Sequence, residues 1–370
     1  MRREVPCLYR AQPSLSRAST TAIILPNANA NASTPVSAEA WTTPASSHSS
    51  APELRPVNTY TLHELSLLHR YTTVTSPSLV NDHPDLLPPW QSAFPEIGFR
   101  FPFVLHGLFS LASLHQAHLS SFNRRRLLAE AAANHNLLIQ GFQEESTNIT
   151  DDNCDALLAF GCINVVYVFG MYGWLHDDSE SEAVRKSRIL GAEWVPTVRG
   201  VGAVMDLIHL KVRNGPLRPL ADIEPWLSID PEQDEVPEDG HLLDLRRTWQ
   251  NSSSGKVYDE TLAILRKCYA FAAKYSPSSP SKPSTSSYYH SPLSGPIIWI
   301  FMAPQEYFHL LSQRQPAALL LFAYLGALFT HLDDYWYFKG WGRDIVEAVE
   351  ELLGEYWAPY LSWPKECTRG

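Results

Sequence analysis

Residues 156–175 read ALLAFGCINVVYVFGMYGWL, a run of 20 positions without a charged side chain. A helix of this length is long enough to cross a bilayer. Asn164, the three glycines of the run and the acidic pair Asp177 and Asp178 that follows it favour a buried helix instead. A helix that is apolar on all sides is typical of the core of a large helical protein. We therefore predict that this helix forms the centre of the fold.

Helical patterns continue on both sides of this run. Thr61 and Glu64 have the spacing of a capping box, and Pro102 suits a helix start. A further helix is predicted over 123–146, with Leu127, Leu128, Ala131, Leu138 and Phe142 as core candidates. Beyond the apolar run, helices are predicted near 194–220, 241–250, 256–275, 297–313, 316–331 and 341–357. Since no strand-like alternation of useful length is present, we predict one large all-α domain over 57–364.

Three segments have compositions that do not favour packing. Residues 10–56 are mostly Ser, Thr, Ala, Pro and Asn, which predicts a disordered linker. Residues 221–239 contain eight acids and no Lys or Arg, which predicts a mobile solvated loop, with an activation-type acidic segment as the alternative. Residues 276–296 are rich in Ser, Pro and Tyr and predict a second mobile loop.

Charge and cysteine usage limit the function and the compartment. The net charge of -10 argues against broad nonspecific attraction to nucleic acid. Five cysteines without paired spacing suit a reducing compartment, and no apolar stretch near the N-terminus is long enough for a secretory signal. The opening segment is rich in Arg and Ser and has the composition of a mitochondrial transit peptide. A mitochondrial location therefore stays an alternative.

Residues 1–9 read MRREVPCLY, with two arginines before Cys7 and Tyr9 after it. This arrangement resembles the last cysteine of the fungal zinc-cluster transcription factors, in which six cysteines in two C-x2-C-x6-C sets hold two zinc ions. The other cysteines, Cys154, Cys162, Cys268 and Cys367, form no CxxC pair. Because tetrahedral zinc needs four ligands, the resemblance makes Cys7 a zinc ligand only if a cluster lies upstream. Residues 1–9 are then the remnant of the C-terminal end of such a cluster.

Four further blocks resemble the sensing domain of the sterol uptake control regulators within the same family. They are HELSLLHRYTTVT (63–75), FPFVLHGLFSLASLH (101–115), WVPTVRG (194–200) and the run from Tyr324 to Trp341, followed by Trp357 and Trp363. The resemblance implies a helical, dimerising domain that senses an apolar, sterol-like molecule and controls lipid or secondary-metabolite genes.

The resemblance also implies partners and a compartment. We expect a homodimer, or a heterodimer with a full-length relative, in the nucleus, with an inactive state in the cytoplasm as a further option. Zinc and DNA are expected only if the cluster is restored. The short N-terminus has two explanations, a start placed too far downstream or a genuine truncation. No membrane span is expected.

Catalytic interpretations are weaker. His115 and His118 share a helix face but have no third ligand nearby, so core or surface roles are expected. The pair Asp333 and Asp334 and the acidic run 177–182 suggest the metal carboxylates of a terpene-type cyclase, although capping or solvation explains both. A cyclase or isomerase that acts by confining its substrate is the alternative function, because confinement needs no recognisable motif. We predict no catalytic or cofactor-binding residues.

Glycines follow aromatic residues at three points of the apolar run, Gly161, Gly170 and Gly173. They either leave space for an apolar ligand or allow close helix packing, so no ligand-binding residues are assigned.

Overall fold

The computed structural model describes residues 59–81, 86–173, 182–191, 194–275 and 294–369. Within these ranges it contains helices and no strand, which confirms the predicted all-α class. The α-helices of the first half are α1 (Leu62–Arg70), α2 (Ser76–Val80), α3 (Phe94–Arg100), α4 (Pro102–Leu119), α5 (Arg124–Glu145), α6 (Cys154–Gly173), α7 (Glu182–Ile189), α8 (Trp194–Arg199) and α9 (Gly202–Ile208).

Those of the second half are α10 (Arg218–Ala221), α11 (Glu224–Leu227), α12 (Asp239–Asp244), α13 (Gly255–Tyr275), α14 (Ser294–Met302), α15 (Gln305–Ser312), α16 (Pro316–Phe329), α17 (Trp341–Leu353) and α18 (Ala358–Cys367). The remnant at 1–9 with Cys7 and the linker at 10–56 lie outside the described residues. So does the predicted loop 276–296 up to residue 293, while its last three residues begin α14.

The capping box at the start of α1 forms as predicted. The Glu64 amide donates to Thr61 Oγ1 over 3.2 Å, and the Thr61 amide donates to Glu64 Oε2 over 2.7 Å. The chain then continues through the π-helical turn Tyr71–Thr75 into α2. Residue Tyr71 is fully buried and donates its hydroxyl to the Trp90 carbonyl.

An antiparallel pair, α4 and α5, packs against one side of α6. Pro102 occupies the first turn of α4 as predicted, where a missing amide hydrogen removes no helical bond. Four of the predicted core residues of α5 are buried and Leu128 is half-buried, which confirms that face. The second half of the chain adds α16 and α17, whose backbones approach closely at Gly326 and Gly342.

The predicted single helix over 194–220 is wrong. The chain forms α8, α9, the 3-10 turn Val212–Asn214 and α10 instead. Gly200, Gly202 and the pair Gly215–Pro216 supply the physical reason, because glycine and proline weaken a helix wherever tertiary packing does not require it to continue.

The predicted helices 297–313 and 341–357 are each divided. The first breaks at Pro304, because proline lacks an amide hydrogen and disfavours helical geometry in the residue before it. The second breaks at Gly354, which adopts φ 71° and ends α17.

The apolar run forms most of α6, and its last two residues, 174 and 175, lie outside the described residues. It is long and apolar enough to cross a membrane, but 78% of its most apolar window is buried inside the protein. The helices α15 and α16 pass the same test only as a pair bent by 106°. Burial of this extent gives α6 the position of a core helix.

Candidate functional site

The blocks that carry the family resemblance meet around α6. Phe169 of α6 lies between Trp194 of α8 and Trp341 of α17, with ring centroids 5.1 Å from each. The two tryptophans contact each other edge to face at 5.6 Å. Blocks separated by more than a hundred residues in sequence therefore form one aromatic cluster, which fixes α6 relative to both halves of the domain.

Two of the three glycines of α6 serve close packing. A Cβ atom at Gly170 would lie 3.0 Å from Leu114 Cδ2 and 3.2 Å from the Trp336 ring. One at Gly173 would overlap the Trp341 indole. At these two positions close helix packing, one of the two alternatives left open by the sequence, is what the structure has, because side chains of the protein fill the space.

The third glycine, Gly161, differs from the other two. A Cβ atom there would meet Met205 Cε at 3.4 Å and Val201 Cγ2 at 4.0 Å, which are ordinary van der Waals distances. Met205 lies on α9, a short helix in the segment where helix formation is interrupted. Because methionine is unbranched and adopts many rotamers, this part of the α6 surface can change shape when Met205 changes rotamer.

A chain of buried polar groups lies beside this surface. The Asn164 Oδ1 atom lies 3.2 Å from His135 Nε2 of α5, and the Asn164 amide donates to the Thr197 carbonyl of α8 over 3.1 Å. The His135 ring stacks on Tyr167 with a centroid distance of 3.6 Å. Burial lowers the pKa of His135 to about 4. His135 is therefore neutral at neutral pH, and the Asn164 amide connects α5, α6 and α8 through uncharged hydrogen bonds.

This polar chain is not predicted by the sequence. Asn164 disfavours a membrane span there, and no motif identifies His135. An amide within an otherwise apolar helix was the available signal, because a buried amide requires hydrogen-bond partners from neighbouring elements.

His115 and His118 of α4 both stack on Trp336, with centroids at 5.1 and 5.2 Å. His115 Nδ1 lies 3.3 Å from Thr75 Oγ1 and 3.5 Å from Ser78 Oγ. Burial, together with the charges of His118 and Arg70, lowers the pKa of His115 to about 4. These contacts are those of a packed core histidine, and the described ranges contain no group of three or more His, Cys, Asp or Glu side chains that could hold a metal.

The candidate cyclase carboxylates do not converge on a site in the described residues. Asp333 Oδ1 accepts the Gly340 amide over 2.9 Å and so closes the turn before α17. Asp333 and Asp334 are both exposed. Of the acidic run 177–182, all but the last residue lies outside the described residues.

The acidic segment 221–239 lies within the described residues. It contains α11, and Trp226 and Ile229 are buried at 5% and 3% exposure. Arg266, Lys267 and Lys274 of α13 contact it. Its mobility stays a prediction, but it is not simply a solvated loop, because it buries apolar side chains.

No family model matches the chain. Over 322 residues it is 23% identical to a Zn(2)-C6 fungal-type transcription factor of Gibberella zeae. The match covers 81% of this chain and 61% of that relative, so the chain spans less than two thirds of the relative's length. This similarity, together with the all-α fold, supports the family that the sequence blocks indicate, the fungal Zn(2)-C6 transcription factors.

Proposed function

We propose that the protein is a transcriptional regulator whose helical domain binds an apolar, sterol-like molecule. The observation that carries the regulatory part is the similarity to a Zn(2)-C6 transcription factor over 81% of the chain. That relative is named as a transcription factor, not as an enzyme. The protein acts in the nucleus as a homodimer, or as a heterodimer with a relative that carries a zinc cluster.

The surface of α6 around Gly161 supports the ligand part of the proposal. Met205 and Val201 cover it through ordinary contacts, so a rotamer change of Met205 opens space without moving the α6 backbone. Asn164 lies three residues further along the same helix face; besides its bonds to His135 and Thr197, its amide can make one further hydrogen bond at each polar atom. An apolar body with one hydroxyl group matches this combination of an apolar surface and a single polar end.

Binding of a radiolabelled sterol to the purified protein tests the ligand and its location. We expect saturable binding that Gly161→Phe weakens by about tenfold, because the larger ring fills the space beside Met205. Gly161→Ala is the matched control, since its Cβ atom meets only ordinary contacts, and it should bind as the wild type does. Absence of saturable binding contradicts sterol sensing, whereas equal binding by both variants contradicts this location.

Chromatin immunoprecipitation of the tagged protein from its own host tests the regulatory part. We expect enrichment at promoters and co-precipitation of a second copy or of a zinc-cluster relative. If Cys7 belongs to a cluster that extends upstream, Cys7→Ser abolishes the enrichment. If a partner supplies the cluster, the enrichment survives Cys7→Ser and disappears when the partner is deleted. A protein absent from chromatin in both backgrounds is not a regulator of this type.

A further inference from the structure

The loop between α4 and α5 exposes two large apolar side chains. It covers residues 120–123, and the Phe122 amide closes it by donating to Ser120 Oγ over 3.2 Å. Phe122 is 79% exposed, and Leu119, the last residue of α4, is 58% exposed. Side chains of this size gain free energy when they leave water. Their exposure side by side at one loop therefore favours a partner that covers them.

Three arginines follow the loop directly. Residues 124–126 form the first turn of α5, which contains no acidic residue. Arg125 and Arg126 are exposed. The N-terminal end of a helix carries a partial positive charge, so cations are unfavourable in its first turn and acids are favourable. Residues that oppose local stability are expected where a contact with a partner compensates for them, and here they lie next to the exposed Phe122.

The charge of this region is opposite to that of the whole protein. Residues 119–129 contain three arginines and no acid, whereas the chain has a net charge of -10. Glu130, the first acid of α5, has a side chain that is only 17% exposed, and its carboxylate lies 3.9 Å from Arg126 and also contacts His63. One end of the α4–α5 pair therefore combines exposed apolar side chains with an excess of cations. We call residues 119–126 the hairpin tip.

The residue types of the hairpin tip fit the surface of a membrane. An apolar side chain at the end of a loop enters the boundary between lipid headgroups and acyl chains without needing a complementary pocket. Guanidinium groups bind phosphates through paired hydrogen bonds, and anionic lipids carry both a phosphate and a net negative charge. Nucleic acid would also offer phosphates to the arginines, but a phosphate backbone offers no apolar surface to Leu119 and Phe122.

We propose that the hairpin tip docks the protein onto membrane surfaces that contain anionic lipids. Phe122 and Leu119 enter the interfacial layer, and residues 124–126 bind the lipid phosphates. The contact is peripheral, so α6 stays in the core of the domain. Docking of this kind goes beyond the proposed function, because it requires neither the apolar ligand nor a contact with DNA.

Co-sedimentation with lipid vesicles tests the docking. The vesicles contain phosphatidylserine and phosphatidylcholine in equal parts and no sterol, so the result does not depend on the proposed ligand. We expect the purified protein to bind these vesicles, to bind them less at high salt, and not to bind vesicles of phosphatidylcholine alone. Arg125→Gln with Arg126→Gln should weaken the binding by about fivefold for each arginine removed.

Arg246→Gln with Arg247→Gln is the matched control for charge. These two arginines are also adjacent and exposed, in the 3-10 turn Leu245–Thr248, and their replacement changes the net charge by the same amount. This control variant should bind the vesicles as the wild type does. Equal losses of binding in the two double variants would reveal a general charge effect and would overturn the hairpin tip as the docking surface.

The apolar part of the contact is tested by Phe122→Ser. We expect about tenfold weaker binding, because the phenyl ring no longer leaves water, whereas Phe122→Leu should keep most of the binding. Tyr356→Ser is the matched control, since Tyr356 is 81% exposed in the 3-10 turn Glu355–Trp357. The exposure of both rings means that neither serine variant should shift the unfolding temperature. Unchanged vesicle binding by Phe122→Ser contradicts docking through the loop.

Two further results would overturn the proposal. The first is the absence of binding to the anionic vesicles. The second is binding of a labelled DNA duplex that Arg125→Gln with Arg126→Gln abolishes and that the vesicles do not compete away, which would assign the hairpin tip to nucleic acid. Failure of sterol binding or of promoter enrichment would instead contradict the proposed function, and it would leave the vesicle result unchanged.

Discussion

Trp341 of α17 donates its indole N–H to the main-chain carbonyl of Phe169 in α6 over 3.0 Å. Phe169 already lies within a helix, so its carbonyl accepts this bond in addition to its place in the helical ladder. The Trp341 ring is 2% exposed and occupies the position that a side chain at Gly173 would need. One side chain thus explains a glycine of α6 and connects helices that are 172 residues apart.

Replacing Trp341 by Phe should destabilise the domain by about 2 kcal/mol. Loss of the hydrogen bond accounts for about 1 kcal/mol, and the smaller ring leaves a cavity that accounts for the rest. Urea unfolding followed by circular dichroism measures the change. Trp357→Phe is the control, since Trp357 is half-buried, and its effect should stay within about 0.5 kcal/mol. Equal losses of unfolding free energy in both variants would show that the contact of Trp341 with α6 does not contribute more than that of an ordinary half-buried tryptophan.

The contact between α16 and α17 gives a second stability prediction. A Cβ atom at Gly342 would lie 2.5 Å from the Gly326 carbonyl oxygen, and a backbone atom cannot move aside as a side-chain terminus can. Gly342→Ala should therefore destabilise the domain by about 2 kcal/mol or more. Gly240→Ala in α12 is the matched control, because nothing lies within 4 Å of its Cβ position. That variant should be neutral or stabilising by about 0.5 kcal/mol, since alanine favours the helix.

Sequence periodicity predicted the helical class and the long helices because their apolar patterns continue over several turns. The same method failed at the ends of α1. The spacing of Leu62, Leu65, Leu68 and Tyr71 predicts one buried face for this helix. Tyr71 is buried as predicted, but Leu62 and Leu65 are 86% and 50% exposed, and Leu67, outside that face, is buried. The spacing of apolar residues identifies an apolar stripe along a helix. The angle at which a neighbouring helix crosses decides which residues of that stripe are buried.

The buried polar contacts could not be predicted from the sequence either, because they too depend on how the helices pack. Arg266 and Asp239 are 27 residues apart, and His135 and Asn164 are 29 apart. Each pair forms only because two helices meet at one register. A lone arginine on an otherwise apolar face and an amide in an apolar helix indicate that partners must exist, but they do not identify them.

The buried link between His135 and Asn164 should behave as one unit. Asn164→Val leaves the His135 ring nitrogen and the Thr197 carbonyl without this amide, so we expect a loss of about 2 to 3 kcal/mol. His135→Phe should give a similar loss. The double variant should lose less than the sum of the two, with a coupling of about 1 kcal/mol or more. For comparison, Tyr307→Phe removes a hydroxyl that donates to Ala318, and its effect should add to that of Asn164→Val. Additivity within the first pair would contradict the link.

The stability of the domain should fall as the pH is lowered from about 6.5 towards 4. In the folded protein burial lowers the pKa of His135 to about 4, while an exposed histidine in the unfolded chain titrates near 6.5. Between these values the unfolded state binds the proton and the folded state does not, so acid favours unfolding. At pH 5 this one side chain removes about 2 kcal/mol of the stability present at pH 7.5, and His115 acts in the same direction.

The variant His135→Phe lacks one of these titrations, so its deficit in stability relative to the wild type should shrink by about 2 kcal/mol between pH 7.5 and pH 5. Urea unfolding at the two pH values measures the free energy of unfolding of both proteins. An equal deficit at each pH would show that His135 is already protonated in the folded protein at pH 5, or that it stays neutral in the unfolded chain.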